Sequence, residues 1–355
     1  MEGHSVLSGQ PGRLKTLQIY SFLILAYSSV PVKCAPAPSP AATRNIAIRH
    51  EVFCMKCRRC HARAVVSLPS HNTAFCPDCF LDFFSKQVDR GIREQGLMTR
   101  QDRVLVALSG GKDSLALMLE LGRQGYDVTA LHIDLGIPES SPAARGVVER
   151  FCRKYDFPLI VREMAAEGLA IPDVKAALRR PVCSACGKIK RYYFNQTARE
   201  GGFNVLATGH NLDDEVARLT SNTLRWDRAY LSDQGPLLED SDGFTRKVKP
   251  FWRLTEFETA NYAFLMGIEN HYAPCPYSEG ASFSTLKSLW IDLEEKMPGR
   301  KMDFYHGFLE RGKPAFKMQE EERGETLAPC SRCGYPTSTE VCGVCRIREA
   351  LAAGK

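Results

Sequence analysis

Between Arg103 and Phe251 short apolar runs alternate with helical periods. RVLVALS reads as a strand and KDSLALMLELGRQ as the helix after it. In the same way VTALHID precedes SPAARGVVERFCRKY, PLIVREM precedes SACGKIKRYYFNQTARE, NVLATGH precedes DDEVARLTSNTLR, and RKVKPF closes the series. Alternation of this kind predicts right-handed crossovers and an α/β fold with a parallel sheet covered on both faces. Ligands in such sheets sit beyond the carboxyl ends of the strands. Three polar segments, SGGKDS, HIDLG and TGHNLDDE, each follow a strand, so the pattern can bring them to one crevice. Further on, Glu256 to Gly267 and Ser282 to Lys296 carry helical periods, while residues 311 to 328 are charged and poor in large apolar groups, which suits a linker.

At 355 residues the chain exceeds one ordinary domain, so appendages to the central unit are expected. Its net charge of +6 permits a polyanionic partner without requiring one, because residues 1 to 54 hold five Lys/Arg against two acids. The 14 cysteines change the picture more. Cys57-x₂-Cys60-x₁₅-Cys76-x₂-Cys79 has the spacing of a zinc ribbon, and Cys330-x₂-Cys333-x₈-Cys342-x₂-Cys345 is a compact version of it. Four thiolates at these intervals can surround a zinc ion, whose binding supplies folding energy to segments too small for a core. His61 and His71 are surplus to such sites, as is Cys54. Arg58, Arg59, Arg63, Arg346 and Arg348 lie in or beside the two modules, where they either contact RNA phosphates or form an ordinary solvated face.

SGGKDS, after a strand, can present successive backbone N–H groups at a helix N-terminus, with Gly110 and Gly111 letting an anion approach closely. It is not the Walker pattern. Asp213-Asp214-Glu215 in TGHNLDDE is either a set of helix-dipole partners or a source of catalytic carboxylates, and His132 is either a site residue or a strand-end histidine. PVCSACGKIKR puts Cys183 and Cys186 one turn apart, and Cys275 stands alone about ninety residues later. Three thiolates make a poor closed zinc site, but an iron–sulfur cluster tolerates them and would keep one iron open. A persulfide-forming redox pair is the rival, and three reduced core cysteines the blandest alternative. Cys34 and Cys152 read as ordinary cysteines.

SGGKDS resembles the pyrophosphate-binding loop of the ATP-pyrophosphatase (PP-loop) superfamily, whose members adenylate an oxygen and release pyrophosphate. That resemblance implies that Ser109, Gly110, Gly111 and Ser114 line an ATP site with Lys112 facing the phosphates, that His132 and Gly209 lie beside it, and that Asp113 and Asp214 are the catalytic or Mg²⁺-binding acids. SGGKDS together with Cys183, Cys186, Cys275 and a four-cysteine module at each end is similar to one branch, the tRNA 2-thiouridine synthetases of the TtuA type, with the cytosolic wobble-uridine thiolases as relatives. The likeness runs from about residue 55 to 350.

It implies an ATP-dependent sulfurtransferase acting on tRNA: adenylation of a uridine O2, then displacement of AMP from C2 by a sulfur held at a [4Fe–4S] cluster on Cys183, Cys186 and Cys275. Lys190 is by the same resemblance a catalytic lysine. Position 54 of the T-loop is the expected target, with wobble uridine 34 the alternative. A ubiquitin-like sulfur-carrier protein is the implied donor, two Zn²⁺ the implied occupants of the end modules, a homodimer is compatible, and the compartment is cytoplasmic. The expected organisation is an N-terminal zinc ribbon at 55–82, a PP-loop domain with the iron–sulfur site at 83–310, a linker at 311–328 and a C-terminal zinc ribbon at 329–350. A cytidine thiolase or other PP-loop ligase would share the loop without calling for both ribbons. A non-catalytic zinc-ribbon RNA-binding protein would leave the loop and acids without purpose.

The N-terminus pulls the other way, since LKTLQIYSFLILAYSS places basic residues before an apolar run of signal-peptide length. The run is short for a membrane span, and export would carry reduced thiolates and ATP chemistry where neither survives easily. Residues 1–54 are therefore expected to be a disordered or spurious extension, with Met55 an alternative start, and no membrane partner is expected.

Overall fold

The computed structural model describes residues 55–178, 182–241, 243–273, 275–277, 282–316 and 327–353. The expectations placed on residues 1–54, including Cys34 and Cys54, lie outside the described residues. The chain divides into two compact units, one ending at Phe80 and one beginning at Leu81.

In the first unit β1 (Val66–Leu68) and β2 (Thr73–Phe75) pair antiparallel, with Val66 opposite Phe75. A single 3₁₀ turn, Pro69–His71, and a left-handed Asn72 at φ +46° reverse the chain between them. Asn tolerates that conformation because its short polar side chain can bond locally. A two-stranded hairpin is marginal by itself, so Val66, Leu68 and Phe75, though buried, are too few to hold this unit. The chain then enters α1 (Pro77–Glu94), opened by a proline whose missing N–H costs nothing at a first helical position.

The second unit is built on a sheet of β3 (Arg103–Leu108), β4 (Asp127–Asp134), β5 (Leu159–Glu163), β6 (Val205–Thr208), β7 (Leu237–Leu238) and β8 (Arg246–Val248), in the spatial order β5-β4-β3-β6-β8-β7. All neighbours run parallel except the edge pair β7 and β8. β7 has two residues, too few for an alternating pattern to announce it. β3 buries Val104, Leu105 and Val106 in succession and β6 buries all four of its residues, the signature of a sheet covered on both sides. The crossovers are α2 (Lys112–Arg123), α3 (Ser140–Tyr155), α4 (Ile171–Ala177) with α5 (Val182–Glu200), and α6 (Leu212–Leu224) with α7 (Arg228–Asp233). Then follow α8 (Glu256–Leu265), α9 (Ser282–Lys296), α10 (Arg300–Gly307), a π-helical turn at Phe308–Gly312, α11 (Lys313–Phe316), a small hairpin of β9 (Ala328–Pro329) and β10 (Pro336–Thr337), and α12 (Gly343–Ala353).

On one face of the sheet Leu105, Leu131, Ile133 and Leu206 meet Ile189 and Tyr193 of α5, and the same cluster takes in Val344 and Ile347 of α12. Cys330, Cys342 and Cys345 belong to it too, so the C-terminal cysteine segment is part of this unit's core. Tyr335 of that segment lies 4.6 Å from Tyr192, ring to ring, and Arg348 donates to the Glu167 carbonyl and carboxylate at 2.9 and 3.0 Å and to the Tyr193 hydroxyl at 2.8 Å. Arg348 is thereby a structural tie between α12 and α5. Among the described residues no helix is long and apolar enough to cross a membrane.

Because the chain passes from β3 to β4 on one side while β6 lies on the other, the crevice beyond the ends of β3 and β6 is the switch point of the sheet, where ligands of such folds bind.

Candidate active site

β3 ends at Leu108, and Ser109-Gly110-Gly111 turns the chain into α2. Gly110 sits at φ +82°, where a side chain would be strained, and a Cβ there would lie 3.1 Å from the Ala144 carbonyl. Two hydroxyls knit the turn: Ser114 Oγ donates to the Gly111 carbonyl at 2.9 Å and accepts from the Ser109 N–H at 3.2 Å, while Ser109 Oγ accepts from the Gly111 N–H at 3.3 Å. Gly111 caps α2 without a side-chain bond, which leaves the positive end of the helix facing the crevice. Gly209, just past β6, lies so close to this turn that a Cβ would stand 2.8 Å from the Ser114 nitrogen. The turn after β3 and the end of β6 therefore meet only because position 209 is glycine.

His132 lies beneath the loop on β4, its Nδ1 2.9 Å from the Leu108 carbonyl. Burial lowers its pKa, so the ring is neutral, Nδ1 donates to Leu108 and the buried Nε2 is left as an acceptor without a partner among the described residues. His271 donates its backbone N–H to the Gly110 carbonyl at 2.8 Å and likewise leaves a buried Nε2 without a partner among the described residues.

The acids separate by environment. Asp113 takes Lys112 Nζ at 3.0 Å, Asn211 Nδ2 at 3.4 Å and the Thr259 hydroxyl. Asp214 serves twice: one oxygen accepts from the Asn211 N–H at 3.1 Å in the capping box of α6, and the other pairs with Lys287 at 2.6 Å. Its neighbours are structural. Asp213, buried, accepts from the Glu256 N–H at 2.7 Å and pairs with buried Lys301, and buried Glu215 holds Lys249 at 2.8 Å. Glu256, at the start of α8, joins the set by binding Lys112 at 2.9 Å and Lys287 at 3.2 Å. Burial would raise its pKa, but these two ammonium groups hold it down to about 2. The same carboxylates raise Lys112 and Lys287 against the lowering effect of burial. Glu256, Lys287, Asn211 and Thr259 were not singled out by sequence. Two left a local trace: Asn211, the cap residue of the Asn211-x-x-Asp214 box inside TGHNLDDE, and Glu256, which follows the Thr255 cap of the box that opens its helix.

Cys183 and Cys186 stand on the first turn of α5, Cys183 exposed and 3.3 Å from the Tyr277 carbonyl, which brings the Cys275–Tyr277 stretch against the helix start. The Cys186 thiol is pushed up by burial; Lys190, one turn on, pulls it down, and Cys275 and Cys183 push it up as neighbouring charges. The trio thus faces one region with Lys190, yet it is not gathered as the end modules are. Among the described residues two cysteine sets bring all their sulfurs within 4.8 Å of one another, Cys57/Cys60/Cys76/Cys79 and Cys330/Cys333/Cys342/Cys345. Backbone N–H groups of Cys60, Cys76 and Arg59 hold Cys57 down to about 6 against burial, and those of Cys342, Arg332 and Cys333 do the same for Cys330. Such N–H to sulfur bonds favour the thiolate that metals bind. Cys152 is buried, its thiol pushed up to about 11 by desolvation, and is inert.

Comparison with known proteins fits this geometry. Residues 83–226 match the PP-loop domain family, and residues 56–81 match the N-terminal LIM domain of the 2-thiouridine synthetase TtuA. The chain is 43% identical over 298 residues to the tRNA-5-methyluridine(54) 2-sulfurtransferase of Thermus thermophilus, covering 84% of this chain and 92% of that protein. It is 38% identical to the protein of the same name from Pyrococcus horikoshii, covering 82% and 93%. Cytoplasmic tRNA 2-thiolation protein 1 of Aspergillus niger is 29% identical over 83% of this chain and 88% of that protein. Among solved structures, the U34-tRNA thiolase NcsA of Methanococcus maripaludis, with its [4Fe-4S] cluster, superposes with a TM-score of 0.70 at 25% identity over 84% of this chain and 96% of NcsA. By sequence, fold and the loop at the switch point, the chain belongs to the PP-loop family of ATP-dependent tRNA 2-thiouridine sulfurtransferases.

Proposed function

We propose that this sulfurtransferase acts on uridine 54 of the tRNA T-loop, adenylating O2 with ATP and then replacing that oxygen at C2 with sulfur. The observation that carries the reading is the meeting of the Ser109–Ser114 loop with Gly209 and the Asp214 cap at the switch point. Position 54 is favoured over 34 because the relatives named for 54 are 43% and 38% identical, against 25% for the named U34 thiolase.

The N–H groups at the start of α2, which no side chain caps among the described residues, suit the pyrophosphate of ATP. Lys112, now shared by Asp113 and Glu256, exchanges these partners for phosphate oxygens when ATP enters and keeps them as pyrophosphate leaves. Asp113 and Asp214 are the acids that would hold Mg²⁺, with Lys287 aligning Asp214. Uridine O2 forms a bond to the α-phosphorus, and pyrophosphate carries away the other electron pair. In the second step a sulfur forms a bond to C2 and AMP departs with its oxygen.

Cys183, Cys186 and Cys275 form a three-thiolate set with no fourth cysteine beside it among the described residues, and they are spread more widely than the zinc-type sets. That donor set fits a [4Fe–4S] cluster better than one ion, and such a cluster supplies an iron able to hold the incoming sulfur. Lys190 favours the Cys186 thiolate. Its reach toward that centre makes it our candidate for charge stabilisation as the sulfur is transferred. Each end module binds one Zn²⁺, the donor is a ubiquitin-like sulfur carrier, and the enzyme works in the cytoplasm, as the names of the fungal relatives suggest. A homodimer is compatible with these roles. The domain organisation we infer is a zinc ribbon at 55–82, a PP-loop domain at 83–310, a connecting segment at 311–328 and a second ribbon at 329–350.

The test is thiolation of a tRNA transcript by anaerobically purified protein with ATP and a thiocarboxylated carrier, read by mass spectrometry of the nucleosides. Loss of product on changing uridine 54 alone supports the reading, and product that depends only on uridine 34 overturns the choice of position.

A further inference from the structure

A cavity of about 1280 Å³ opens between α5, the β7–β8 edge and the C-terminal cysteine segment. We propose that it is a second RNA-binding site, which takes an unpaired stretch of the tRNA other than the reacting uridine. The proposal rests on tRNA being the substrate and adds where else the enzyme grips it.

Lys188 and Arg191 of α5, Lys247 of β8 and Lys313 of α11 all line this cavity. None of the four has an ion-pair partner among the described residues. Lys188 and Arg191 are exposed, but Lys247 and Lys313 are half-buried, and elsewhere in this unit lysines withdrawn from solvent are tied to carboxylates: Lys112 to Glu256, Lys249 to Glu215, Lys301 to Asp213. Among the described residues only two acids face the cavity, Asp233 and Glu239, and Glu239 is taken up by Arg246 at 3.1 Å. Burial, with Arg191 and Lys249 as like charges, holds Lys247 down to about 8, and burial lowers Lys313 although Asp233 attracts it. Like charges gathered in a partly desolvated recess cost stability unless an anion joins them.

The rest of the wall tells which anion. Tyr335 faces Tyr192 at 4.6 Å and takes the Phe244 ring edge-on at 5.6 Å, and Tyr230 stands 63% exposed at the rim. Aromatic faces beside unpaired cations are how proteins hold splayed bases and their phosphates. A volume above the range of ordinary small-molecule pockets, roughly 300–1,000 Å³, suits several nucleotides better than one free nucleotide. An acidic peptide would satisfy the charge but leave the aromatic faces without a purpose. The helix that supplies Lys188 and Arg191 also carries Cys183, Cys186 and Lys190, so RNA held here bears directly on the element that presents the thiols.

The experiment measures labelled tRNA binding to metal-loaded full-length protein by fluorescence anisotropy across a salt series. The Lys247→Met/Lys313→Met variant should bind about tenfold more weakly or worse, and the slope of log affinity against log salt should shrink by roughly 1.4, about 0.7 for each phosphate of single-stranded RNA that a lysine no longer neutralises. Its ATP affinity should match the parent's, and its melting temperature should hold or rise, because like charges are relieved. Unchanged tRNA affinity and salt slope would overturn the proposal, as would a variant whose tRNA binding falls only in step with a lowered melting temperature. Competition by polyglutamate peptide but not by single-stranded RNA would overturn it as well. If the parent chain thiolates no tRNA, the reading of the reaction fails instead; if the parent thiolates and the variant binds equally well, only the second site fails.

Discussion

Around the loop at the switch point, Asp113, Asp214 and Glu256 each hold at least one lysine, and the closest backbone approach is made by a glycine that nothing larger could replace. On the thiol side, Cys183 and Cys275 stand exposed, and the bond from Cys183 to the Tyr277 carbonyl is a weak sulfur contact of 3.3 Å. One half is tied together by ion pairs; the other is, in the proposed reading, a set of cluster ligands. In the proposed reading the lysines that now neutralise the acids also keep the phosphate site from repelling itself, so nucleotide entry would be an exchange of counter-ions that needs no refolding. The thiols, by contrast, are held near the helix start by light contacts such as that from Cys183 to Tyr277. Loss of the thiol side should therefore abolish reaction and spare the fold, whereas damage to the nucleotide side should touch stability as well.

The largest effect expected is from Cys275→Ser. Thiolation should fall to background while thermal stability and ATP affinity stay at parental values, measured by nucleoside mass spectrometry, melting and nucleotide titration. A drop in melting temperature comparable to that of a core variant would mean the thiol side is structural after all.

Next, Asp213→Asn tests the ion-paired half. Removing one partner of its buried pair with Lys301 leaves an uncompensated cation, a cost of about 3–5 kcal/mol. In a unit of this size that lowers the melting temperature by roughly 10 °C. Its neighbour Asp214 should behave differently. Asp214→Asn keeps much of the helix cap, since an amide oxygen can still accept from the Asn211 N–H, but it loses the charge that Lys287 and a metal would meet. Activity should fall about 100-fold, on the order of 2.7 kcal/mol of transition-state stabilisation, with a shift in melting of only about a degree or two. Equal effects of the two substitutions on melting would erase the distinction between them.

That distinction is also where the sequence stops being legible. SGGKDS and TGHNLDDE are contiguous, follow strands and carry their own turn chemistry, so the loop, Gly209 and the acids can be named from the order of residues alone. The alternating strands announce the parallel order for the same reason. Among the three adjacent acids only the family resemblance points to Asp214; no local pattern does, because their surroundings are set by Lys301, Lys287 and Lys249, which come from α10, α9 and the turn after β8. Long-range ion pairs have no period and no spacing. The C-terminal cysteines show the same limit: their intervals announce a metal, but only packing reveals that Cys330, Cys342 and Cys345 share a core with Ile189 and Tyr193. Likewise Arg348, which reads as a solvated or RNA-facing arginine, is spent on Glu167 and Tyr193.

The smallest effect sharpens the counter-ion exchange itself. Glu256 has its pKa lowered from 4.5 to about 2 by Lys112 and Lys287, against the opposing push of burial. A carboxylate depressed in this way contributes stability above its unfolded value, and the contribution is lost as pH falls from about 4.5 toward 2. The two lysines are raised, so their share is fully present below 10.5 and is lost only in more alkaline solution. Around neutral pH the cluster is therefore on a plateau. Glu256→Gln should lower melting modestly, most near pH 7 where the carboxylate's contribution is fully present and least toward pH 2, so that part of the acid limb between pH 4.5 and 2 flattens, and it should free Lys112 and Lys287 for phosphate, tightening ATP binding a few-fold. Melting curves across that acid range, with ATP titration near neutral pH, read both effects. An unchanged acid limb together with weaker ATP binding would show that Glu256 supports the phosphate site directly and does not stand in for the nucleotide's charge.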